Sequence, residues 1–404
     1  MKLKIYTNKN KKKHTNYSLF VKGSVEFFTI NDSLITFDPY DIWKTKPGLF
    51  IKILFNKNKA VAAAPALIFT LYDQFFNNKL RFGYIKQEYP IVRALAAQNL
   101  MNLYEKERLP IYLEFTKKHL DWLVKNSSKG YSGHCWGLGI KWPASKDIIY
   151  EENTPHSTHT PYVLEAFHKY TQITDDNRYV PIIKSCFDFY EQNLKILANE
   201  KDSMAISYGP FKDRIVTNAV SYTILAYSIF LNYFPERSSY IKSKINKFYN
   251  FIKKYQNSDG SWLYAPLEKD SFIDCFHSCI VIKNLIKTKN HVHDSEILIN
   301  KGYEYIKKNF YNEKERLFKR FSKENKPSLI KFDLYDNSEV LILSKLMFDN
   351  ELATNLEKRI FEVFVKNEKT VYSSLNIFGK LINKNTLRWA VMPYLFSISI
   401  KNLN

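Results

Sequence analysis

From Asn58 onward, apolar residues recur at i, i+3, i+4 and i+7, the spacing of helices that bury one face. This period predicts twelve helices: a proline-interrupted one over 58–76, then 91–104, 110–125, 160–171, 178–197, 217–233, 238–255, 272–286, 293–309, 332–347, 351–365 and 386–399. Their joints alternate in length. Every second joint is short and polar (YEKERLPIY, TQITDDNRY, NYFPERSSY, TKNHVHDSE, FDNELAT), recurring about every 60 residues, as expected of a repeated helix pair. The joints between them, 127–159, 199–216, 256–271, 310–331 and 366–385, are long and rich in aromatic and polar residues.

If successive helices run up and down, all the long joints fall at one end. Six such pairs close into a toroid with one helix of each pair inside and the other outside, so that the long joints rim a single bowl; an open solenoid of helix pairs is the architectural alternative. QNLMNLY, YVLEAFHKYTQIT and YTILAYSIF are continuously apolar and suit the inner layer, whereas FYNFIKKYQ and YEYIKKNF carry lysine faces and suit the outer one. The predicted class is therefore all-α, an (α/α)6 toroid over residues 58–404. Residues 1–57 read as a separate N-terminal cap, irregular or β, because FVKGSVEFFTI and DSLITFD alternate in the manner of two short strands.

Composition supports the class. The 404 residues hold 28 Tyr and 30 Phe but only 11 Gly and 14 Pro, which favours long helices packed through aromatics over many-turned sheets. Sixty Lys and Arg against 40 Asp and Glu leave a net charge of +20, which suits an anionic partner: nucleic acid, an acidic polysaccharide or a membrane face. The charge is diffuse apart from runs such as NKNKKKH at 8–14, and no nucleic-acid-binding motif accompanies it, so an acidic glycan or sugar precursor is the expected partner, with peripheral membrane association beside it. The N-terminus lacks the apolar core of a secretory signal, and the longest apolar run, AVAAAPALIFTLY from Ala60, is too short to span a bilayer. The expected location is the cytoplasm, extending to the inner membrane surface.

Cys135, Cys186, Cys275 and Cys279 are too few and too scattered for a disulfide framework. Cys275 and Cys279 share a helical face, and SGHCWG and PHSTH carry three histidines between them, yet neither group has partners at metal-ligand spacing. Neither a metal nor a cofactor is expected.

Six segments carry a resemblance: GYSGHCWGLGIKWP, ITDDNRYVPIIKSCFDF, QNSDGSWLYAP, SFIDCFHSCIVIKNL, KFDLYDNSEVLILS and LRWAVMPYLFSIS. Their order from about residue 80 to the C-terminus resembles a bacterial family of helical toroids encoded among surface-polysaccharide biosynthesis genes. The chain keeps that pattern at Cys135-Trp136-Gly137, Asp259-Gly260-Ser261-Trp262, Asp274 with His277, Asp333 and Arg388-Trp389, and departs from it at Tyr335, where a histidine is frequent. More distantly it is similar to six-hairpin glycosidases, N-acylglucosamine 2-epimerases and the helical domain of glucuronyl C5-epimerases. QNSDGSW also looks like the QW motif of triterpene cyclases, but their D-x-D-D string is missing. The resemblance implies a toroid acting on sugars in capsule or lipopolysaccharide synthesis.

On the predicted toroid, the long joints and the first turns of the inner helices supply the candidate site. Asp274, His277, His134, Tyr264 and Asp333 are the candidate catalytic residues. Tyr131, Trp136, Trp142, His156, His159, Tyr208, Arg214, Trp262, Asp270, Asp336, Arg388 and Trp389 are the candidate binding residues, since a pyranose stacks on aromatic faces while its hydroxyls need convergent polar groups. Several have competing structural roles. Asp274 and Asp333 stand where helix caps stand, Asp274 and His277 suit a buried pair, and Arg388 suits a salt bridge that closes the ring. Hydrolysis would pair Asp274 with Asp333 or Asp270. Epimerisation or elimination at a uronate would instead take the C5 proton with His or Tyr and hold the carboxylate with a cation. The positive charge and the His- and Tyr-rich rim favour the second. The rival from another class is a non-catalytic glycan-binding or assembly scaffold.

Overall fold

Whether a helix is apolar on one face or on all of them decides which layer it joins. The computed structural model describes residues 12–400 other than 146, 213, 326 and 368; the first part of the basic run at 8–14 lies outside the described residues. In chain order the helices are α1 (Lys12–Thr29), α2 (Lys46–Lys57), α3 (Lys59–Tyr72), the single turn α4 (Asn78–Leu80), α5 (Pro90–Glu107), α6 (Pro110–Lys125), α7 (Thr160–Thr174), α8 (Val180–Asp188), α9 (Thr217–Phe230), α10 (Ser238–Lys254), α11 (Cys275–Thr288), α12 (Ser295–Phe310), α13 (Leu334–Leu346), α14 (Asn350–Phe364) and α15 (Met392–Ser399).

Every residue of α9 and α13 is buried, as are the first fourteen of α5. By contrast α10 buries Ile241, Ile245, Phe248 and Ile252 along one stripe and turns Lys242, Lys253 and Lys254 to solvent. Each such aliphatic or aromatic side chain removed from water contributes about 1.5–3 kcal/mol, enough to set the facing of the helix. The inner helices α5, α7, α9, α11, α13 and α15 pack each on the next, and α15 packs back on α5, closing a ring. Outside them, α6, α8, α10, α12 and α14 each pack on the inner helix before them in sequence. The short joints turn tightly: Arg108 and Asp175 end α5 and α7 in the left-handed conformation that lets the chain reverse within a few residues.

The sixth outer helix comes from the N-terminus. α1 packs on α5 and α15, so the stretch FVKGSVEFFT that alternation assigns to a strand is helical. The run carries both periods, and Val21, Val25 and Phe28, at i, i+4 and i+7, are the positions buried against the ring. Gly23, which faces open space, costs the helix about 1 kcal/mol relative to Ala, less than burial of Val21, Val25 and Phe28 returns. DSLITFD is extended and forms a single bridge, Thr36 to Gln87. The boundary at 57/58 falls between α2 and α3, which pack on each other as one hairpin. The ring is closed by polar contacts as well: Asn102 donates to Ser399 Oγ at 2.8 Å, Ser399 to Asn99 Oδ1 at 3.0 Å, and Lys106 to the Ser399 carbonyl at 2.9 Å.

Each long joint folds into short antiparallel pairings at one end of the ring. β1 (Trp142–Pro143) pairs with β2 (Ile149–Tyr150), and β3 (Ile196–Asn199) with β4 (Met204–Ile206). β5 (Ile273–Asp274), β6 (Tyr311–Asn312), β7 (Leu317–Phe318) and β8 (Phe321–Lys323) follow, with β5 paired to β8 and β6 to β7. β9 (Ile330–Asp333), β10 (Val365–Asn367), β11 (Thr370–Asn376) and β12 (Leu381–Lys384) form one small sheet in which Ser374 stands opposite Asp333. These pairings shorten three predicted helices: the 178–197 run yields to a π turn and β3 after Asp188, the 272–286 run starts only at Cys275, and the 332–347 run only at Leu334 after β9.

Candidate functional site

Because the long joints are pinned by these strands, the side chains at their ends converge over the ring. They enclose a cavity of about 560 Å³. Its floor is made by the first turns of the inner helices: His159 before α7, Asn218 and Tyr222 on α9, Asp274 and His277 at α11, Tyr335 on α13, and Arg388 and Trp389 before α15. Its walls come from Trp142, Tyr150, His156, Tyr208, Arg214, Tyr264, Asp270 and Arg320, and Tyr40, Phe55, Asn56 and Lys59 of the N-terminal segment lie over one side.

At the start of α11, His277 Nδ1 lies 2.7 Å from Asp274 Oδ2 and 2.9 Å from Oδ1. Asp274 is buried and His277 is one-fifth exposed on the cavity side. The carboxylate therefore holds the proton on Nδ1 and leaves Nε2 as the nitrogen that reaches a molecule in the cavity. The Tyr264 ring lies 4.6 Å from the imidazole and is stacked on Phe272 at 4.6 Å; burial pushes its phenol pKa well up, so the hydroxyl keeps its proton.

Two further acids stand behind this pair and outside the cavity lining. Asp333 caps α13 by accepting Tyr335 N at 2.9 Å, and also accepts Ser374 Oγ at 3.0 Å and Trp389 Nε1 at 3.1 Å. Asp336, on α13, reaches across to accept Phe276 N at 3.0 Å in the first turn of α11. Burial raises the pKa of both, and for Asp336 the charges of Asp333 and Asp274 add to it. Burial opposes the charge on Arg320, but Tyr40, Asp333 and Asp336 outweigh it and its pKa rises. Arg388 is held by Asp38 in a buried bidentate pair, Nε to Oδ2 at 2.6 Å and Nη2 to Oδ1 at 2.8 Å. Arg214 donates to the Ala144 carbonyl at 3.1 Å and lies 3.5 Å from Glu268.

Polar atoms without a hydrogen-bond partner mark where a ligand's own polar groups belong. Four such residues line the cavity: His156, through both ring nitrogens, Asn218 through Oδ1, Tyr222 through its hydroxyl and Arg320 through Nε. Burial pushes His156 down to about 3 and His159 well below the usual range, so both imidazoles are neutral at physiological pH.

The seventeen candidate residues thus divide. Trp142, His156, His159, Tyr208, Arg214, Tyr264, Asp270, Asp274, His277, Arg388 and Trp389 line the cavity. Trp136 and Trp262 lie in the core, where their indole N–H groups donate to the carbonyls of Leu123 at 2.9 Å and Ile252 at 3.0 Å. Tyr131 packs edge-on to Phe189, and His134 Nδ1 bonds Ser185 Oγ on outer helix α8 at 2.7 Å. Asp333 and Asp336 cap helices beneath the floor. Not anticipated were Tyr40, Tyr162, Asn218, Tyr222, Glu268 and Arg320; of these only Asn218, an amide in the first turn of the buried helix α9, carried a legible signal. Among the described residues no group of three His, Cys, Asp or Glu is placed to hold a metal ion.

No protein-family model and no curated protein matches this chain. Solved structures do match. Cellobiose 2-epimerase from Bacillus thermoamylovorans is 10% identical with a TM-score of 0.59 over 77% of this chain and 87% of its own. A D-mannose isomerase is also 10% identical with a TM-score of 0.59, over 98% of this chain and 99% of its own. A glycosyl hydrolase family 88 protein from Bacteroides vulgatus is 7% identical with a TM-score of 0.53, over 87% and 98%. The likeness is one of fold. It establishes the (α/α)6 toroid, with the N-terminal segment included in the match to the isomerase.

Proposed function

We propose that this protein is a sugar-processing enzyme that moves a proton at a carbon next to a carbonyl, with a uronate as substrate and epimerisation or β-elimination as outcome. The observation that carries the reading is the Asp274–His277 pair, hydrogen-bonded at 2.7 Å and facing a cavity walled by aromatic rings. The epimerase and isomerase among the similar folds act on sugars by their names, which supports the class.

In this reading His277 Nε2 takes the C5 proton, and Asp274 orients the ring and offsets the imidazolium that forms. Neutral Tyr264 donates its phenolic proton, to C5 from the other side in an epimerase or to the departing oxygen in a lyase. Arg320, through its unpartnered Nε, and Arg214 hold the substrate carboxylate and so stabilise the carbanion-like transition state. Arg388 is not in this set, because Asp38 already occupies its guanidinium. Trp142, Trp389 and Tyr208 stack on the sugar ring, and the neutral imidazoles of His156 and His159, with Asp270 at the rim, take its hydroxyls. The expected setting, capsule or lipopolysaccharide synthesis, rests on the sequence resemblance alone. Hydrolysis by Asp274 with Asp333 is disfavoured because Asp333 is occupied by three donors beneath the floor.

The test is incubation with acidic glycans and uronate-containing precursors in deuterated water, followed by NMR and mass spectrometry. Deuterium at C5 without cleavage supports an epimerase and an unsaturated product a lyase. Chain shortening by water alone points to a hydrolase, and tight binding without exchange to a scaffold; either result removes the proton-transfer reading.

A further inference from the structure

Helix α3 breaks the rule that apolar helices are buried. Its sequence KAVAAAPALIFTLY carries one charge, Lys59, at its first position, yet of its fourteen residues only Ala62 is buried. Its partner α2 buries only Gly48. Of the 25 large hydrophobic residues exposed on the described surface, ten fall between Phe50 and Ile85, and Ile68, Phe76, Leu80 and Phe82 are 67–79% exposed. The apolar surface continues from α3 through the following π turn, where Phe75 meets exposed Phe378 at 5.2 Å. A patch of this extent on a water-soluble surface marks an interaction site.

The charge around it selects the partner. Between Asp41 and Asp73 there are five lysines and no acid, and Lys79, Arg81 and Lys86 follow before the next acid, Glu88. Asp41 and Asp73 are themselves buried, so what the patch presents at its rim is positive: exposed Lys46, Lys57, Lys59, Lys79 and Lys86. We propose that the α2–α3 hairpin and the turn after it form a surface that docks in the plane of an anionic lipid bilayer, aliphatic and Phe side chains entering the headgroup–acyl boundary and the lysines meeting lipid phosphates. This pattern of apolar face and basic border is that of interfacial helices. Fourteen residues of helix rise about 21 Å, short of the ~30 Å hydrocarbon core, so α3 lies on the membrane and does not cross it. A second copy of the chain fits less well, since a self-complementary contact brings two lysine borders together. Phe55, Asn56 and Lys59 of the same hairpin line the cavity, so docking sets the cavity's rim at the lipid surface. The inference is independent of the reaction proposed above.

The experiment is co-sedimentation of the full chain with vesicles of phosphatidylcholine alone and of phosphatidylcholine mixed with phosphatidylglycerol, at low and high salt, for the wild type and for Ile68→Asp/Phe76→Asp. Expected is binding to the phosphatidylglycerol vesicles that weakens with salt and drops about tenfold in the double variant, whose circular-dichroism melt matches the wild type because both side chains are exposed. Three results overturn the proposal. The wild type fails to sediment with phosphatidylglycerol vesicles; the double variant sediments as well as the wild type; or the wild type is a lipid-free dimer that the double variant converts to monomer while vesicle binding is absent, which makes the face a self-interface.

Discussion

Removing Asp38 is the sharpest probe of how the ring is closed. The side chain is fully buried, and among the described residues its only ion-pair partner is Arg388, itself 8% exposed, bound through two hydrogen bonds of 2.6 and 2.8 Å. Asp38→Ala leaves a guanidinium buried with no counter-charge, a change that costs about 3–5 kcal/mol. Unfolding entropy of about 2.1 cal/mol/K per residue over 404 residues is roughly 0.85 kcal/mol/K, so the melting temperature falls by about 4–6 °C. Asp38 also accepts Tyr40 N at 2.9 Å, a bond lost with Asp38 whatever stands at 388. The discriminating comparison is therefore Asp38→Ala/Arg388→Met, which removes the stranded charge and melts above Asp38→Ala alone. Calorimetry and urea titration read both. If Asp38→Ala melts within about 1 °C of the wild type, or the double variant is the less stable, Arg388 does not depend on Asp38 and its guanidinium returns to the list of substrate ligands.

Three further outcomes follow from the same geometry. Once a substrate turns over, His277→Gln lowers kcat about 10²–10⁴-fold, whereas Asp274→Asn, which leaves the imidazole in place but loosens it, lowers it by about 10–100-fold; equal rates for wild type and His277→Gln rule out His277 as the base. His119, whose Nε2 donates to the Thr29 carbonyl at 2.8 Å while Nδ1 accepts from Arg93 at 2.9 Å, is pushed by burial down to about 4, against 6.5 unfolded. A depressed imidazole means the unfolded chain takes up the proton first, so stability is lost as pH falls from 6.5 toward 4, by about 2 kcal/mol at pH 5; His119→Gln flattens that part of the pH–stability curve measured by urea titration. Gly260 has φ +93 and a Cβ there would meet the Lys301 carbonyl oxygen at 2.3 Å, so Gly260→Ala destabilises by about 2–3 kcal/mol, seen as a lowered urea midpoint, with a wild-type midpoint refuting the turn.

What the sequence determined by itself was the layering. Ile241, Ile245, Phe248 and Ile252 declare one stripe of α10, and the uncharged, mostly apolar sequence of α9, with no polar face, declares a helix covered on all sides, because burial free energy follows from the pattern alone. The alternation of joint lengths was likewise enough to put all the long loops at one end. The Asp274–His277 pair was legible because the two residues are only three apart in sequence: Asp274 stands at the N-cap of α11 and His277 in its first turn, so they meet without help from the rest of the chain. Contacts between segments distant in sequence were decided only by the tertiary structure. Val21, Val25 and Phe28 satisfy a helix as well as their neighbours satisfy a strand, and it is the space left between α5 and α15 that makes the N-terminal segment the sixth outer helix. Trp136 and Trp262 have the composition of sugar platforms, but their indole N–H groups find backbone carbonyls in the core. Arg388 looks like a carboxylate clamp until Asp38, 350 residues earlier, takes both arms of its guanidinium. A periodic pattern fixes which way a helix faces; which polar side chains remain for a ligand depends on partners that only folding brings within hydrogen-bond distance.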